Sequence, residues 1–233
     1  METVGSAIVL LLALDTATPA VTVAVHDGNR VLATRTTVDA RRHGELLVPL
    51  LSEAMAEAGA EPRDITDIAV GVGPGPFTGL RVGLVTARTT ASVVGAAVHG
   101  VCSLDVIAAA VSSDAPFVVA TDARRHEVHW ASYDGTGRRT EGPAVDRPAD
   151  LAGRLTADVP VVGRGASIYA DELARSAPPL DGPLDPDAAV LAQAVADGRV
   201  ELLAVEPLYL RRPDAQVPGP MKPVVPQHWR RRR

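Results

Sequence analysis

The order of β-rich and helical segments in the first half of the chain limits the possible folds more than any other feature. A continuous apolar run over residues 8–14 ends in the polar turn DTATPA, and the β-rich stretch VTVAV follows at once. Asp27-Gly28-Asn29 is a turn signal, after which residues 30–38 can return as a third strand. Three such segments in succession predict an antiparallel start to a β-sheet.

Helices and strands alternate after this meander. Residues 44–58 carry leucines at helical spacing and are followed by Gly59 as a C-cap, whereas Pro49 predicts a kink or a later start. Further segments predict a strand over 65–72, a helix over 79–94, a strand over 97–101 and a helix over 104–111. This order resembles one half of an actin-like, RNase-H-like lobe, and it predicts an α/β fold.

The pattern partly restarts near Pro116. Strands are predicted over 117–121, 127–133 and 159–162, and helices over 151–155, 166–174 and 187–196. Asp187 is the expected N-cap of the last helix, with Gly198 as its C-cap. We therefore expect an N-terminal lobe over 7–103 and a C-terminal lobe over 104–211. Residues 212–233 are rich in Pro, Gly and Arg, which predicts a disordered basic tail.

Charge and cysteine content narrow the functional classes. The 233 residues carry a formal net charge of −5, which gives no overall attraction to nucleic acid. The terminal run Arg230–Arg233 is a local exception, and it is either a solvated tail or a contact to tRNA. Cys102 is the single cysteine, so an intrachain disulfide is excluded. Such a low cysteine content is typical of proteins in a reducing compartment. The first apolar run is shorter than the roughly 20 residues of a membrane helix. We expect a soluble, cytoplasmic protein without membrane contact.

The segment GPGPFTGLR, Gly73–Arg81, joins a predicted strand to a predicted helix. Helix N-termini can bind phosphate through free N–H groups, but Pro74 and Pro76 remove two of those donors. The Gly-Lys-Ser/Thr end of a Walker A loop is absent as well. Gly73 and Gly75 can take positive φ, and Thr78 is a suitable N-cap. The segment therefore predicts a stiff helix start.

Two features of the following helix suggest a contact surface. Arg81 lies in the first turn, where a cation opposes the helix dipole, so it should meet an anion inside or outside the chain. Small residues recur at spacing four along one face, at Gly79, Gly83, Ala87 and Ala91. Such a stripe allows close approach either by the chain's own lobe or by a second subunit.

The DTAT turn makes Asp15, Thr16 and Thr18 candidates for weak nucleotide binding. Actin-like kinases and ATPases place an Asp and a Ser or Thr at this hairpin to hold Mg²⁺ and phosphate. Ala17 stands where those enzymes have a glycine. His43 has no second histidine four residues later, because position 47 is leucine, so the sequence predicts no metal site. It also predicts no catalytic residue, since no nucleophile-elbow motif is present.

Five segments together resemble the TsaB family in order and spacing: DTATPAVTVAV, HGELL, GPGPFTGLR, TDARRHEVHWASY and EPLYLRRPDA. The resemblance extends from about residue 8 to 215 and implies an actin-like (ASKHA) fold of two lobes. It implies a place in the bacterial complex that makes N6-threonylcarbamoyladenosine (t6A) at tRNA adenosine 37. There the chain would be a non-catalytic scaffold or activator of a TsaD-type catalytic paralogue, alongside a TsaE-type ATPase.

The resemblance also implies how the chain assembles. It would form a homodimer when alone and contact tRNA only through the complex, with no cofactor of its own and with ATP or ADP, if any, at the partner interface. The two helices beginning near HGELL and FTGLR would carry the partner-docking residues, which are Leu46, Leu50, Gly73, Gly75, Phe77, Thr78, Gly79, Arg81, Gly83 and Ala87. A free-standing kinase, ATPase or peptidase of the same fold is the alternative, and it requires Asp15 and Thr16 to bind Mg-ATP unaided.

Overall fold

Two β-sheets organise the computed structural model, which describes residues 10–156, 158–173 and 180–211. The first sheet has the order β3-β2-β1-β4-β5, formed by β1 (Leu11–Asp15), β2 (Ala20–His26), β3 (Val31–Val38), β4 (Asp67–Gly73) and β5 (Ala97–Cys102). The second has the order β8-β7-β6-β9, formed by β6 (Phe117–Asp122), β7 (Val128–Tyr133), β8 (Arg139–Asp146) and β9 (Val161–Val162).

Both sheets share one topology. In each, three strands form an antiparallel meander, and the fourth strand pairs in parallel with the first. The helices are α1 (His43–Ala58), α2 (Phe77–Val94), α3 (Ser103–Ala109), α4 (Pro148–Arg154), α5 (Arg164–Ile168), α6 (Ala170–Leu173) and α7 (Ala188–Ala196). The repeated meander with interleaved helices confirms the predicted α/β, actin-like fold of two related lobes.

The alternation of side chains along β1 places helices on both faces of the first sheet. Leu12 and Leu14 point to the side on which α1 and α2 pack. Leu11 and Ala13 point to the other side, which α7 and Val106 of α3 cover. Helix α7 therefore packs on the first sheet although it lies late in the sequence. The predicted lobe boundary at residue 103 stays a prediction.

Several local predictions hold at the helix ends, one alternative is excluded and one prediction is wrong. Gly59 ends α1 in the left-handed conformation, and the Asp187 carboxylate accepts the Ala189 N–H at the start of α7. Helix α1 runs from His43 through Pro49, which excludes the later start, and the alternative of a kink at Pro49 stays a prediction. Helix α2 begins at Phe77, directly after Pro76, which places Thr78 inside the first turn. The predicted N-cap role of Thr78 is therefore wrong.

The second lobe departs more from the sequence prediction. Strand β8 was missed because Gly142, at φ 85°, and Pro143 interrupt its alternating pattern. The single helix predicted over 166–174 is instead the pair α5 and α6, separated at Tyr169. Residues 7–9, Ala174 and the predicted tail 212–233, including Arg230–Arg233, lie outside the described residues. No helix within the described ranges has the length and apolar character needed to cross a bilayer.

Candidate docking site

The Asp15 carboxylate is buried at the end of β1, and each of its oxygens has a hydrogen-bond partner. Its Oδ1 accepts the Ala17 N–H at 2.7 Å, and its Oδ2 accepts the Ser103 hydroxyl at 2.7 Å. The Ser103 oxygen in turn accepts the Gly73 N–H at 3.2 Å. Asp15 thus connects the DTAT turn with the end of β4 and the start of α3.

Thr16 and Thr18 are buried and hydrogen-bonded in the same way. The Thr16 hydroxyl donates to the Gly79 carbonyl at 2.7 Å and accepts the Gly83 N–H at 3.0 Å, so it holds the first turns of α2. The Thr18 hydroxyl accepts the Ala20 N–H at 3.2 Å. These bonds use the polar groups that a nucleotide would need, and the predicted nucleotide role of Asp15, Thr16 and Thr18 stays a prediction.

His43, the first residue of α1, contacts the same turn. Its Nε2–H donates to the Thr18 carbonyl at 2.8 Å, and the ring is buried. No group of three or more His, Cys, Asp or Glu side chains converges in a way that could hold a metal within residues 10–156, 158–173 and 180–211. His43 therefore connects α1 to the DTAT turn.

Close backbone approach explains the glycines before α2. Gly73 has φ 99°, as predicted. Gly75 does not take positive φ, and it is required for another reason: a Cβ there would collide with the Ala17 carbonyl oxygen. The loop therefore packs directly on the DTAT turn. Gly73 is buried beside Leu80, and its predicted docking role stays a prediction.

The small-residue stripe of α2 faces its own lobe. Gly79, Gly83, Ala87 and Ala91 are all buried, and a Cβ on Gly83 would lie 2.5 Å from the Thr16 hydroxyl oxygen. This packing leaves Gly79, Gly83 and Ala87 little exposed surface, and their predicted docking role stays a prediction. Leu50 of α1 is also buried in the lobe, whereas Leu46 is partly exposed.

The outward sides of α1 and α2 carry apolar residues that sequence reasoning did not single out. Val48 of α1 is 58% exposed, and Val85 and Val93 of α2 are 61% and 80% exposed. The available signal was helical spacing, since Val85 stands opposite to the buried residues of α2, whereas Val48 and Val93 stand on the flanks of their helices. We call Val48, Val85 and Val93, with the exposed parts of the two helices around them, the α1/α2 face.

An aromatic and cationic cluster lies at the N-terminal end of α2. The rings of Phe77 and Tyr209 stack with centroids 5.4 Å apart, and the Arg81 guanidinium lies 3.6 Å from the Phe77 centroid. The Arg81 Nε–H donates to the Tyr209 hydroxyl at 3.1 Å. Tyr209 is held there because the Leu208 N–H donates to the Val72 carbonyl at 2.8 Å. Sequence reasoning missed Tyr209, which lies more than a hundred residues from Phe77 along the chain.

Comparison with known proteins places this arrangement in a family. An uncharacterized protein of Mycobacterium leprae is 42% identical over 221 residues, which are 93% of this chain and 59% of that protein. The chain thus spans 59% of the length of that relative. The tRNA threonylcarbamoyladenosine biosynthesis protein TsaB of Escherichia coli is 31% identical over 218 residues, covering 86% of this chain and 94% of the relative. The chain belongs to the TsaB family.

Two further similarities agree with TsaB membership. Residues 30–179 match the family model described as TsaD, tRNA N6-adenosine threonylcarbamoyltransferase. The crystal structure of YeaZ from Pseudomonas aeruginosa superposes with a TM-score of 0.73 at 30% identity, covering 87% of this chain and all of that chain. In this TsaB-family chain the Gly73–Arg81 segment joins β4 to α2 and includes the first turn of α2.

The buried Asp15 makes a testable contribution to stability. Burial raises its pKa to about 6, against 3.8 for the free group, although bonds from Ala17 and Ser103 oppose the shift. The folded state therefore keeps the proton at pH values where the unfolded state has lost it. The ionisation of Asp15 should therefore lower the free energy of unfolding by roughly 3 kcal/mol between about pH 4 and pH 6. Above that range its contribution should stay constant.

Urea unfolding at pH 4, 5, 6 and 7 measures this contribution. Asp15→Asn cannot ionise, so the difference in unfolding free energy between the two proteins should change over that range and stay constant above it. The contributions of all other titrating groups are the same in both proteins and cancel when the two free energies of unfolding are subtracted. Parallel pH profiles for the two proteins would show that Asp15 ionises normally.

Proposed function

We propose that this chain is a non-catalytic scaffold or activator subunit in the biosynthesis of t6A on tRNA. In this proposal it pairs with a TsaD-type catalytic subunit through the α1/α2 face and works with a TsaE-type ATPase. The observation that carries the proposal is the exposed apolar character of the α1/α2 face. The names of the TsaB relatives and of the TsaD family model supply the pathway.

The DTAT turn supports a non-catalytic role. Asp15, Thr16 and Thr18 are buried and bonded to backbone groups or to Ser103, so their polar atoms already have partners. An enzyme of the actin-like type would need the same groups turned toward Mg²⁺ and phosphate. In this proposal any ATP or ADP lies at the partner interface.

The α1/α2 face supports the docking role. Val48, Val85 and Val93 are more than half exposed on two helices that otherwise pack tightly against one sheet. A contiguous exposed apolar surface marks a protein interaction site, and in this proposal the three valines belong to one such surface. At one end, Phe77, Arg81 and Tyr209 are of the residue types that dominate binding energy at protein interfaces. Without the partner, we propose that two copies pair through the same face.

Reconstitution tests the proposal directly. The TsaD-type and TsaE-type proteins of the same organism would be mixed with tRNA, ATP and the threonylcarbamoyl donor, with and without this chain. Digestion of the tRNA and mass spectrometry would measure t6A. We expect product formation to fall at least about tenfold without this chain, as for loss of a subunit that organises the active complex.

Two results would contradict the proposal. One is unchanged t6A formation without this chain. The other is calorimetric binding of Mg-ATP by the isolated chain with turnover, which would favour a free-standing enzyme. An Asp15→Asn variant is the matched control for any nucleotide signal, because it removes the only carboxylate of the DTAT turn.

A further inference from the structure

Helix α2 carries two arginines and no acidic residue along its whole length. Arg81, Val85 and Arg88 stand at positions i, i+4 and i+7, so the three side chains lie in one stripe along the helix. All three are exposed. An apolar side chain therefore stands between two positive charges on the outward side of α2.

The two arginines have no acidic partner in the part of the chain that the structure describes. Neither guanidinium forms an ion pair there, although other exposed arginines such as Arg35 and Arg154 do. Arg81 is held in place by the Phe77 ring and the Tyr209 hydroxyl, and neither group neutralises its charge. Because the side chain is already oriented, less conformational entropy is lost when it binds an anion.

We propose that Arg81 and Arg88 determine which protein docks on the α1/α2 face. The partner that fits is a protein with an apolar helix face carrying two carboxylates about two turns apart. Seven residues of helix span about 10.5 Å, so two such carboxylates on an antiparallel partner helix would meet the two arginines while an apolar residue meets Val85. This inference rests on the proposed function, because it describes how the TsaD-type subunit is selected.

The pattern favours a heterologous protein over RNA and over a second copy. The phosphate backbone of an RNA could pair with the two arginines, but it would place charged groups and water against the apolar side chain of Val85. A second copy offers the same two arginines on α2, so pairing of α2 with α2 sets like charges against each other. Of the three α1 acids, Glu53 and Glu57 are already paired with Arg35 of β3 in the same chain, which leaves a second copy's Glu45 as a single carboxylate for two arginines.

The test is a double charge reversal, Arg81→Glu with Arg88→Glu, in the full chain. Binding of the TsaD-type subunit from the same organism would be measured by calorimetry at 50 and at 300 mM salt. We expect the double variant to bind about 30-fold more weakly at low salt and to lose most of the salt dependence of the natural chain. The matched control is Arg138→Glu with Arg147→Glu, which reverses two exposed arginines of the second lobe.

The possible results separate the inference from the proposed function. If the natural chain does not bind the TsaD-type subunit at all, the proposed function fails. If the natural chain and the double variant bind it equally, the inference fails and the proposed function stands. The double variant could also pair normally with the TsaD-type subunit while the assembled complex no longer retains tRNA. That result would assign the two arginines to RNA binding and would also overturn the inference. Circular dichroism would confirm that the variant remains folded.

Discussion

A Gly83→Ala variant should be less stable than the natural chain by about 2 kcal/mol, even though alanine is the better helix former. An added Cβ would lie 2.5 Å from the Thr16 hydroxyl oxygen, which is closer than atoms can pack. That oxygen accepts the Gly83 N–H, and its proton is donated to the Gly79 carbonyl. Moving either element to relieve the collision therefore weakens both bonds.

The chain offers a matched control for this prediction. Gly44 also lies in a helix, but a Cβ there would meet no atom within 4 Å. Gly44→Ala should therefore stabilise the protein by about 0.5–1 kcal/mol, because the unfolded chain loses freedom and the folded chain loses no contact. Urea unfolding of both variants gives the two values. If Gly83→Ala were also stabilising, Thr16 could not be holding α2 as closely as the structure indicates.

The sequence predicts the first lobe well because its signals are local. The meander of β1 to β3 follows from short β-rich runs separated by turn residues, and α1 follows from leucine spacing with Gly59 at its end. The second lobe is harder to predict because tertiary contacts decide its elements. Strand β8 bends around Gly142 and Pro143, and only pairing with β7 keeps it in the sheet.

The direction in which α2 faces could not be predicted from its own sequence. A stripe of small residues allows close approach on either side of an interface, and the spacing of Gly79, Gly83 and Ala87 is the same in both cases. The deciding contact is with Thr16, which lies in a turn more than sixty residues earlier in the chain. Substitutions at Gly83 or Ala87 therefore test folding, and the outward residues of α2 test docking.

A Val85→Glu variant should bind the TsaD-type subunit at least about 100-fold more weakly, which corresponds to about 3 kcal/mol. Val85 is 61% exposed, so its substitution leaves the core of the lobe intact. In the proposed complex position 85 becomes buried, so a carboxylate there would lose hydration and would face the carboxylates of the partner. The introduced carboxylate would also pair within α2 with Arg81 and Arg88, which takes both cations away from the partner.

Val38→Glu is the matched control for this variant. Val38 is 56% exposed at the end of β3, outside both α1 and α2, and it receives the same substitution. Both variants should unfold within about 0.5 kcal/mol of the natural chain, as is usual for exposed positions. Calorimetry with the TsaD-type subunit and t6A formation in the reconstituted reaction should then fall for Val85→Glu alone. Equal losses for the two variants would mean that added negative charge weakens pairing wherever it is placed, and full activity of Val85→Glu would move the docking surface away from α2.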